Sequence, residues 1–340
     1  MTTRIALHGF GRLARCIARL ILTQPELGIE IVAIAERAPP GKLAHLLRHD
    51  SAYGPFGSQV VEDEHGLVVD GRPIPILDLV WGGMPENHWG AMGIDVLIET
   101  TGKLRSPDTL AQHLDRGARR VLLAAPPRGL DEVPTLFLEP GLELPDAPMV
   151  STGSATATAL HPLATLLDQC WGLEALHGTV LSPFAPDQVI EDEVHSTCFW
   201  RSRAGVGNMV PTTAGAGRGL LTAFPKLRER LMLQNLRTPV SEVGCLSLVA
   251  HTHQAIQRDA FIEAAQEAAA GRLRGLLAVC KEPLVSCDFR GRPESVVLDT
   301  MSIQTSGPKA ISFRAWYDAT WGYASRVVEL AQLLGEARRS

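Results

Sequence analysis

The first residues that suggest chemistry form a glycine-rich turn near the start of the chain, Gly9-Phe10-Gly11-Arg12-Leu13-Ala14. The turn follows an apolar run and precedes apolar residues at helical spacing, which is the strand–turn–helix context of a dinucleotide-binding fingerprint. Glycines here let backbone N–H groups approach a pyrophosphate at the start of the helix. We therefore predict that the backbone from residue 9 to residue 13 binds a dinucleotide.

A carboxylate follows where such a site needs one. Glu36 ends the second predicted strand about 22 residues after the turn, where an acidic side chain holds a ribose 2′-hydroxyl. The alternative is that Glu36 only ends a strand at the surface. Its neighbour Arg37 leaves a 2′-phosphate open, so NAD is favoured over NADP without ruling NADP out. Thr101 and Gly102, which follow a later buried strand, complete the predicted cofactor site.

A second stretch with chemical potential runs from Val150 to Pro162, where a strand end turns into an apolar helix beginning near Ser154. A serine at a helix start caps free N–H groups, and the positive end of the helix dipole favours an anion or a thiolate. The next residue is Ala155, whose methyl group cannot attack a carbonyl. The stretch has the form of a catalytic turn without a reacting atom.

Other candidate groups carry weaker signals. His195 and Cys198 form a Cys/His pair close in sequence, although loop residues at an interface explain them better. His161 is expected to be packed or exposed and not a base, and the acidic residues at 187 and 191–193 to form a solvated loop. Arg237 suits a phosphate or carboxylate because a guanidinium binds such groups in bidentate fashion, but a structural ion pair is equally probable. Cys16, Cys245 and Cys287 are interpreted as small core residues.

Composition excludes several classes of protein. The 340 residues carry a net charge of -5, and no Lys/Arg run stands out, which argues against nucleic acid and anionic membranes as partners. The start of the chain shows no charged-then-apolar leader, and no apolar stretch approaches the roughly 20 residues of a membrane helix. Six cysteines without a C-x-x-C pair indicate free thiols in a cytoplasmic protein with no metal site.

The elements that position these residues change in character along the chain. Up to about residue 150, strands alternate with helices, which predicts an α/β fold with an N-terminal Rossmann doubly wound parallel sheet. Beyond it, long β-branched segments predict a second α+β domain with a mixed or antiparallel sheet. We expect residues 1–151 plus the C-terminal helix 321–340 to form the dinucleotide-binding domain, and residues 152–320 a catalytic-type domain. The strands are expected at 3–8, 30–35, 59–61, 67–69, 74–77, 95–100, 120–125, 148–151, 178–182, 240–252 and 311–317, and the helices at 13–22, 41–49, 106–116, from 154, 215–224, 258–274 and 323–334.

Ordered matches along nearly the whole chain resemble the glyceraldehyde-3-phosphate dehydrogenase family. One of them leans toward its erythrose-4-phosphate dehydrogenase branch, namely Pro-Leu-Val-Ser-Cys-Asp-Phe at 283–289. The resemblance implies a homotetramer with the 183–209 loop at a subunit interface. The other matches are His-Gly-Phe-Gly-Arg at 8–12, His-Leu-Leu-Arg-His-Asp-Ser at 45–51, Asp-Val-Leu-Ile-Glu-Thr-Thr-Gly-Lys at 95–103, Gly-Ala-Arg-Arg-Val at 117–121, Asp-Gln-Val-Ile at 187–190 and Trp-Tyr-Asp-Ala-Thr-Trp-Gly-Tyr-Ala-Ser-Arg at 316–326.

The same resemblance implies which catalytic residues of the family are replaced here. The family's nucleophilic Cys falls at Ala155, its His at Leu181 and its nicotinamide-holding Asn at Ala319. A Thr of the anion pocket falls at Ala214, and another near Phe184. What remains for an anion or substrate is Ser154, Thr156, Gly215 and Arg237. Because thioester formation needs both nucleophile and base, the resemblance implies that phosphorylating dehydrogenase activity is lost.

Three functions fit this pattern. The first is a catalytically silent NAD-binding subunit with a regulatory or structural role, alone or assembled with an active relative. The second is a repurposed enzyme of specialised metabolism that transfers hydride directly to or from a small carbonyl compound, phosphorylated or not, since that step needs no cysteine. The third is a non-redox binding, lyase or transfer role in which Arg237 grips an anion. The first two rank close together.

Overall fold

The structure is a computed structural model that describes residues 2–78, 89–129, 132–185, 187–195, 198–213 and 215–337, without the side chain at 216. The chain forms two compact units. The N-terminal unit comprises Met1–Leu138, Leu142–Gly153 and Ala324–Ser340, and the C-terminal unit comprises Glu139–Gly141 and Ser154–Tyr323. Compactness does not test the expected functional division of the chain at residues 151 and 321, which stays a prediction.

The N-terminal unit is built on a sheet whose strand order is β10-β9-β8-β1-β2-β7-β6-β5. The pairs from β10 to β7 are parallel, and β5 to β7 form an antiparallel edge, so the predicted doubly wound parallel sheet is confirmed. A separate hairpin joins β3 and β4. The strands are β1 (Thr3–His8), β2 (Ile29–Ala35), β3 (His49–Asp50), β4 (Gly54–Pro55), β5 (Val60–Glu62), β6 (Gly66–Val69), β7 (Arg72–Leu77), β8 (Val96–Glu99), β9 (Arg120–Leu123) and β10 (Met149–Ser151).

Local sequence explains the helices of this unit. Helix α1 (Arg12–Thr23) presents one apolar face to the sheet, and α2 spans Pro40–Arg48. Helix α3 (Pro107–Asp115) starts at Ser106, whose hydroxyl accepts from the N–H of Thr109 while the Thr109 hydroxyl accepts from the N–H of Ser106. Such reciprocal capping satisfies two backbone donors at the helix start.

The C-terminal unit contains a mixed sheet in the order β12-β13-β11-β14-β17-β16-β15, as predicted. Its helices are α4 (Ala155–Trp171), α5 (Gly215–Ala223) and α6 (Arg258–Ala270). Four of its strands, β12, β13, β15 and β16, were not among the predicted elements. The strands are β11 (Leu173–Ser182), β12 (Val210–Thr212), β13 (Leu231–Arg237), β14 (Val243–Thr252), β15 (Leu277–Cys280), β16 (Val296–Thr305) and β17 (Ala310–Asp318).

The last helix, α7 (Trp321–Glu336), belongs to the N-terminal unit from Ala324 onward. It lies so close to β1 that a Cβ atom added at Gly335 would stand 2.3 Å from Thr3 Cγ2. None of the helices in the described part of the chain combines the length and apolar character that crossing a bilayer requires.

Candidate functional site

The glycine turn after β1 has the geometry that the fingerprint predicts. Gly9 has a positive φ of 87°, and a Cβ atom there would lie 2.9 Å from Thr101 Cγ2, so only glycine fits. Gly11 precedes α1, and apart from its two chain neighbours no described residue has a heavy atom within 4 Å of the Cβ position that Gly11 lacks. Arg12 and Leu13 follow in the first turn of the helix, partly exposed. The open helix start suits the pyrophosphate of a dinucleotide.

Glu36 lies beside this turn, immediately after β2. One carboxylate oxygen accepts from the N–H of Phe10 at 2.8 Å, and the other from the N–H of Arg37 at 2.7 Å. Each oxygen keeps a second acceptor site for a ribose hydroxyl. The structure thus brings Glu36 and the glycine turn together, but it uses the N–H of Phe10 internally, and the Phe10 side chain is buried. The residues fit NAD.

Thr101 and Gly102 form the turn after β8, the strand that neighbours β1. Gly102 adopts a positive φ of 67°. The N–H and hydroxyl of Thr101 both donate to the buried carboxylate of Glu99. Glu99, the last residue of β8, therefore holds Thr101 over Gly9. Both turns lie at the carboxyl ends of the parallel strands.

In the C-terminal unit, Ser154 caps α4 as predicted from its position. Its hydroxyl accepts from the N–H of Ala157 at 3.1 Å, and its carbonyl accepts from the Thr158 hydroxyl at 3.0 Å. Ala155 is the first residue of the helix and is partly buried. The serine oxygen thus serves the backbone, and the next side chain is a methyl group.

Thr156 takes part in a chain of polar side chains that we did not predict. Its hydroxyl lies 3.1 Å from the phenol oxygen of Tyr317, which also hydrogen-bonds the side chain of Ser182. Ser182 in turn donates to the amide oxygen of Asn235 at 2.8 Å. Burial raises the pKa of Tyr317, so the phenol is neutral at physiological pH. Since Ser182 donates onward, Tyr317 donates to Ser182 and accepts from Thr156, which gives the chain one direction.

The phenol has room because Gly244 stands opposite it on β14. A Cβ atom at Gly244 would lie 2.5 Å from the Tyr317 ring. The sequence signal for this group was a tyrosine inside an apolar strand, since a buried phenol generally needs a hydrogen-bond partner.

Leu181 lies near the end of β11, between Leu236 of β13 and Cys245 of β14. Cys245 is buried, and burial raises the pKa of its thiol to about 11. Because only the thiolate is a good nucleophile, Cys245 does not replace a reactive cysteine.

Arg237 ends β13 and forms an ion pair with Asp187, with 2.7 Å between Nη1 and Oδ1. Arg201 contacts the other oxygen of Asp187 at 2.7 Å and donates to the Thr212 hydroxyl at 2.8 Å. One carboxylate of the acidic loop, that of Asp187, therefore contacts the guanidinium groups of both Arg201 and Arg237, so that two guanidiniums share one carboxylate.

Gly215 is the exposed first residue of α5, and Ala214 lies outside the described residues.

The weaker candidates occupy structural positions. The N–H of His195 donates to the Ser202 hydroxyl at 3.0 Å, and that hydroxyl donates to the carbonyl of Cys198 at 3.4 Å. His195 and Cys198 are therefore linked by the Ser202 hydroxyl through their backbone atoms and not through the imidazole and the thiol. His161 is buried in α4, where burial lowers its pKa to about 4. Cys287 lies in an exposed turn, so its interpretation as a core residue was wrong.

Comparison with known proteins decides the family. Residues 3–107 match the model of the glyceraldehyde 3-phosphate dehydrogenase NAD binding domain, and residues 154–319 that of the C-terminal domain. Glyceraldehyde-3-phosphate dehydrogenase from Kitasatospora aureofaciens is 34% identical over 98% of this chain and 99% of its own. That of Geobacillus stearothermophilus is 32% identical over 97% and 98%. A chloroplastic form A from Nicotiana tabacum is 33% identical over 97% of this chain and 84% of its own. The chain belongs to the glyceraldehyde-3-phosphate dehydrogenase family.

Membership in the glyceraldehyde-3-phosphate dehydrogenase family confirms the resemblance drawn from the motifs and makes NAD the cofactor that the N-terminal domain is built for. The fit of Gly9, Gly11 and Glu36 agrees with it. Ala319, where the motif suggests an Asn, donates its N–H to the carbonyl of Glu242 at 2.8 Å and offers no side-chain amide. The roles of Ala155, Leu181 and Ala319 in relation to the family's catalytic residues stay predictions.

Proposed function

We propose that this chain is an NAD-binding member of its family that lacks phosphorylating aldehyde dehydrogenase activity and serves as a regulatory or structural subunit. The observation that carries the proposal is Ala155. It occupies the first position of α4, directly after the capping Ser154, and its methyl group cannot form a thioester.

The residue before Ala155 and the position matched to the family's His support this proposal. The hydroxyl oxygen of Ser154 accepts a hydrogen bond as the cap of α4, and the aliphatic side chain of Leu181 cannot act as a base. Cys245, next to Leu181 across the sheet, has a thiol with a raised pKa. The covalent step needs an activated nucleophile beside a base, and these positions supply neither.

The test is an assay with glyceraldehyde 3-phosphate, NAD and inorganic phosphate, followed by NADH absorbance, beside a calorimetric titration with NAD. We expect micromolar NAD binding without turnover. The double variant Ala155→Cys/Leu181→His restores the pair and should gain measurable turnover, whereas Ala159→Cys, one turn further along α4, should not. Turnover by the parent chain would overturn the proposal. Mixing with an active relative and finding neither association nor a changed rate would remove the regulatory role.

A second candidate, direct hydride transfer to a small carbonyl compound, is favoured by the polar chain at Thr156. Bound NAD or NADH would accept or supply the hydride, and the proton of the reaction would be exchanged with water. Because the Thr156 hydroxyl donates to Tyr317, its oxygen would accept a hydrogen bond from a substrate hydroxyl and so orient the substrate. The Thr156 hydroxyl is the partly exposed end of the chain, and Tyr317 and Ser182 continue it toward Asn235. NADH consumption on a carbonyl panel that falls at least tenfold in Thr156→Val would support this candidate. No consumption by the parent across the panel would exclude it.

An anion pocket is the third candidate, drawn from Arg237 with Ser154, Thr156 and Gly215. Its support is the excess of guanidinium over carboxylate at Asp187. Inorganic phosphate should bind the parent more tightly than Arg237→Ala by about tenfold, by calorimetry. Equal binding would show that Arg237 serves only its ion pair.

We place the protein in the cytoplasm as a homotetramer, with association to an active relative as the alternative. The six free cysteines support a reducing compartment. Support for assembly comes from large apolar side chains exposed in the loop between β11 and β12, since a monomer rarely leaves such a patch uncovered. Light scattering should show a tetramer for the parent and a smaller assembly for Phe199→Ser. A monomeric parent would refute the proposed tetramer. The exposed side chains are Ile190, Val194, Phe199, Trp200, Val206 and Met209.

A further inference from the structure

A buried polar cluster lies beneath the cofactor turns of the N-terminal unit. His8 ends β1, Glu99 ends β8, and the two are direct partners across the sheet. His113 reaches them from α3, and all three side chains are at most 1% exposed. A carboxylate with two histidines in such a place must be fully hydrogen-bonded or hold an ion, because an unsatisfied buried charge is very costly.

The four acceptor positions of Glu99 are all used. One oxygen accepts from His8 Nδ1 and from His113 Nε2, the latter at 3.2 Å. The other accepts from the N–H of Thr101 at 2.7 Å and from the Thr101 hydroxyl. Burial alone would raise the pKa of Glu99, but the hydrogen bonds from His113, His8 and Thr101 lower it to about 2. The group is therefore a saturated, ionised carboxylate at neutral pH.

The same atoms also have the identity of a metal site. One ligand-type atom from each of His8, Glu99 and His113 lies within 4.8 Å of the others. The indole N–H of Trp89 argues against an ion, since it donates to His113 Nδ1 at 3.3 Å. An indole nitrogen only donates, so Nδ1 of the neutral imidazole is unprotonated and Nε2 carries the proton that points at Glu99. A metal would need the lone pair on Nε2, with two N–H groups then facing each other.

The cluster instead ties together the two turns that the cofactor meets. The Thr100 hydroxyl donates to the carbonyls of His8 at 2.9 Å and Gly9 at 3.1 Å. Thr101, held by Glu99, covers the face of Gly9 where a Cβ would stand. The Glu99 carboxylate thus links Thr101, in the turn after β8, to His8, the residue that precedes the glycine turn.

We propose that Glu99 is a positioning residue of the dinucleotide site, whose buried carboxylate locks the turn after β8 onto the glycine turn before the cofactor arrives. The turn's backbone N–H groups are then already oriented toward a pyrophosphate, so that less ordering has to be done on binding. The inference rests on the proposed retention of NAD binding. The inference extends the proposed NAD site from the two turns to four buried side chains beneath them: His8, Trp89, Glu99 and His113.

The sharpest variant is Glu99→Gln, which keeps the shape but has one acceptor oxygen and one NH₂ group. If the NH₂ group faces Thr101, it meets a backbone N–H that cannot change its role. If it faces the histidines, it meets the N–H of His113, whose tautomer is set by Trp89. Either orientation breaks one side of the lock.

Calorimetry with NAD and with adenosine separates positioning from general stability. We expect Glu99→Gln to weaken NAD at least tenfold and adenosine less than twofold, because adenosine lacks the pyrophosphate that the glycine turn holds. Hydrogen exchange at the Thr101 amide should also speed up in the ligand-free variant. Leu110→Ala, a buried apolar truncation in the same helix as His113, is the matched control and should leave NAD affinity within twofold despite a lower melting temperature.

A second pair of variants keeps the test open if Glu99→Gln does not fold. In His113→Gln, the amide can still donate to Glu99 and accept from Trp89, and NAD affinity should stay within about threefold. In His113→Leu, both bonds are lost and affinity should fall tenfold.

The proposal is overturned by NAD binding unchanged in Glu99→Gln or His113→Leu, by an equal loss in Leu110→Ala, or by stoichiometric Zn²⁺ in the parent that His113→Gln removes. A parent that fails to bind NAD would overturn the proposed function as well, whereas a binding parent with indifferent variants overturns the lock alone.

Discussion

His161 should make the stability of the protein depend on pH in a range where few side chains titrate. It lies in α4, the helix that begins at Ala155, and is only 3% exposed. Burial lowers its pKa from the usual 6.5 to about 4. The carboxylate of Glu139 lies 3.8 Å away but is itself 44% exposed, so it does not offset the loss of hydration. His161 is therefore neutral in the folded protein at neutral pH.

The size of the effect follows from the two pKa values. In the unfolded chain the imidazole takes up a proton near pH 6.5, whereas in the folded chain it does so only near pH 4. The unfolded state binds more protons throughout this window, so the free energy of unfolding falls as the pH is lowered. The full difference corresponds to about 3 kcal/mol, of which about 2 kcal/mol is lost between about pH 8 and pH 5.

The assay is urea unfolding of the parent, His161→Gln and His161→Leu at pH values from about 8 to 5. Absolute stability differs among the three, but the parent should lose about 2 kcal/mol more than either variant across the range. His253→Gln changes an exposed histidine of the same unit and should follow the parent. Parallel pH curves for the parent and both His161 variants would refute the assignment of a buried neutral imidazole.

Three further predictions follow from single contacts. Glu36→Ser removes the carboxylate that would repel a 2′-phosphate next to Arg37, so the ratio of NADP to NAD affinity should rise at least tenfold by calorimetry; an unchanged ratio would contradict the assigned role. Gly244→Ala puts a Cβ atom 2.5 Å from the Tyr317 ring and should lower the free energy of unfolding by about 1–3 kcal/mol, while Gly57→Ala, with open space around it, should change little; equal effects would contradict the close packing. Ser106→Ala removes the cap of α3 and should cost about 1 kcal/mol in urea unfolding, and no loss would show that the cap is dispensable.

The dinucleotide half of the fold was readable from the sequence because its signals are local. The glycine turn and the apolar run before it each specify their own backbone. The turn between β6 and β7 is likewise local, because Asp70-Gly71 is a dipeptide that favours a two-residue hairpin turn and both residues have positive φ. Strand β13 was missed for the opposite reason. Its side chains are intermediate or exposed throughout, so the sequence shows no contrast between a buried and a solvated face.

Long-range pairings of polar residues were beyond the sequence. Asp187 lies in an exposed loop, as predicted, but its ion pair with Arg237, 50 residues further along the chain, depends on the sheet register and was not predicted. The family motif containing Glu99 was recognised, but His8, 91 residues earlier, was not linked to it. A carboxylate closing an otherwise apolar strand was the available signal, because such a group needs donors that local sequence does not provide.

The polar chain at Tyr317 bears on the interpretation of Ala155 and Leu181. The apolar side chains of Ala155 and Leu181 by themselves suggest an apolar pocket. However, Thr156, Tyr317 and Ser182 form a hydrogen-bonded chain in the same unit. Burying polar groups costs free energy unless each of them has a hydrogen-bond partner. Either the chain stabilises the fold, in which case Tyr317→Phe lowers stability and leaves ligands unaffected, or it faces a polar ligand at Thr156. Since the first turn of α4 offers the Thr156 hydroxyl at the partly exposed end, loss of ligand binding in Thr156→Val at unchanged stability would decide for the second.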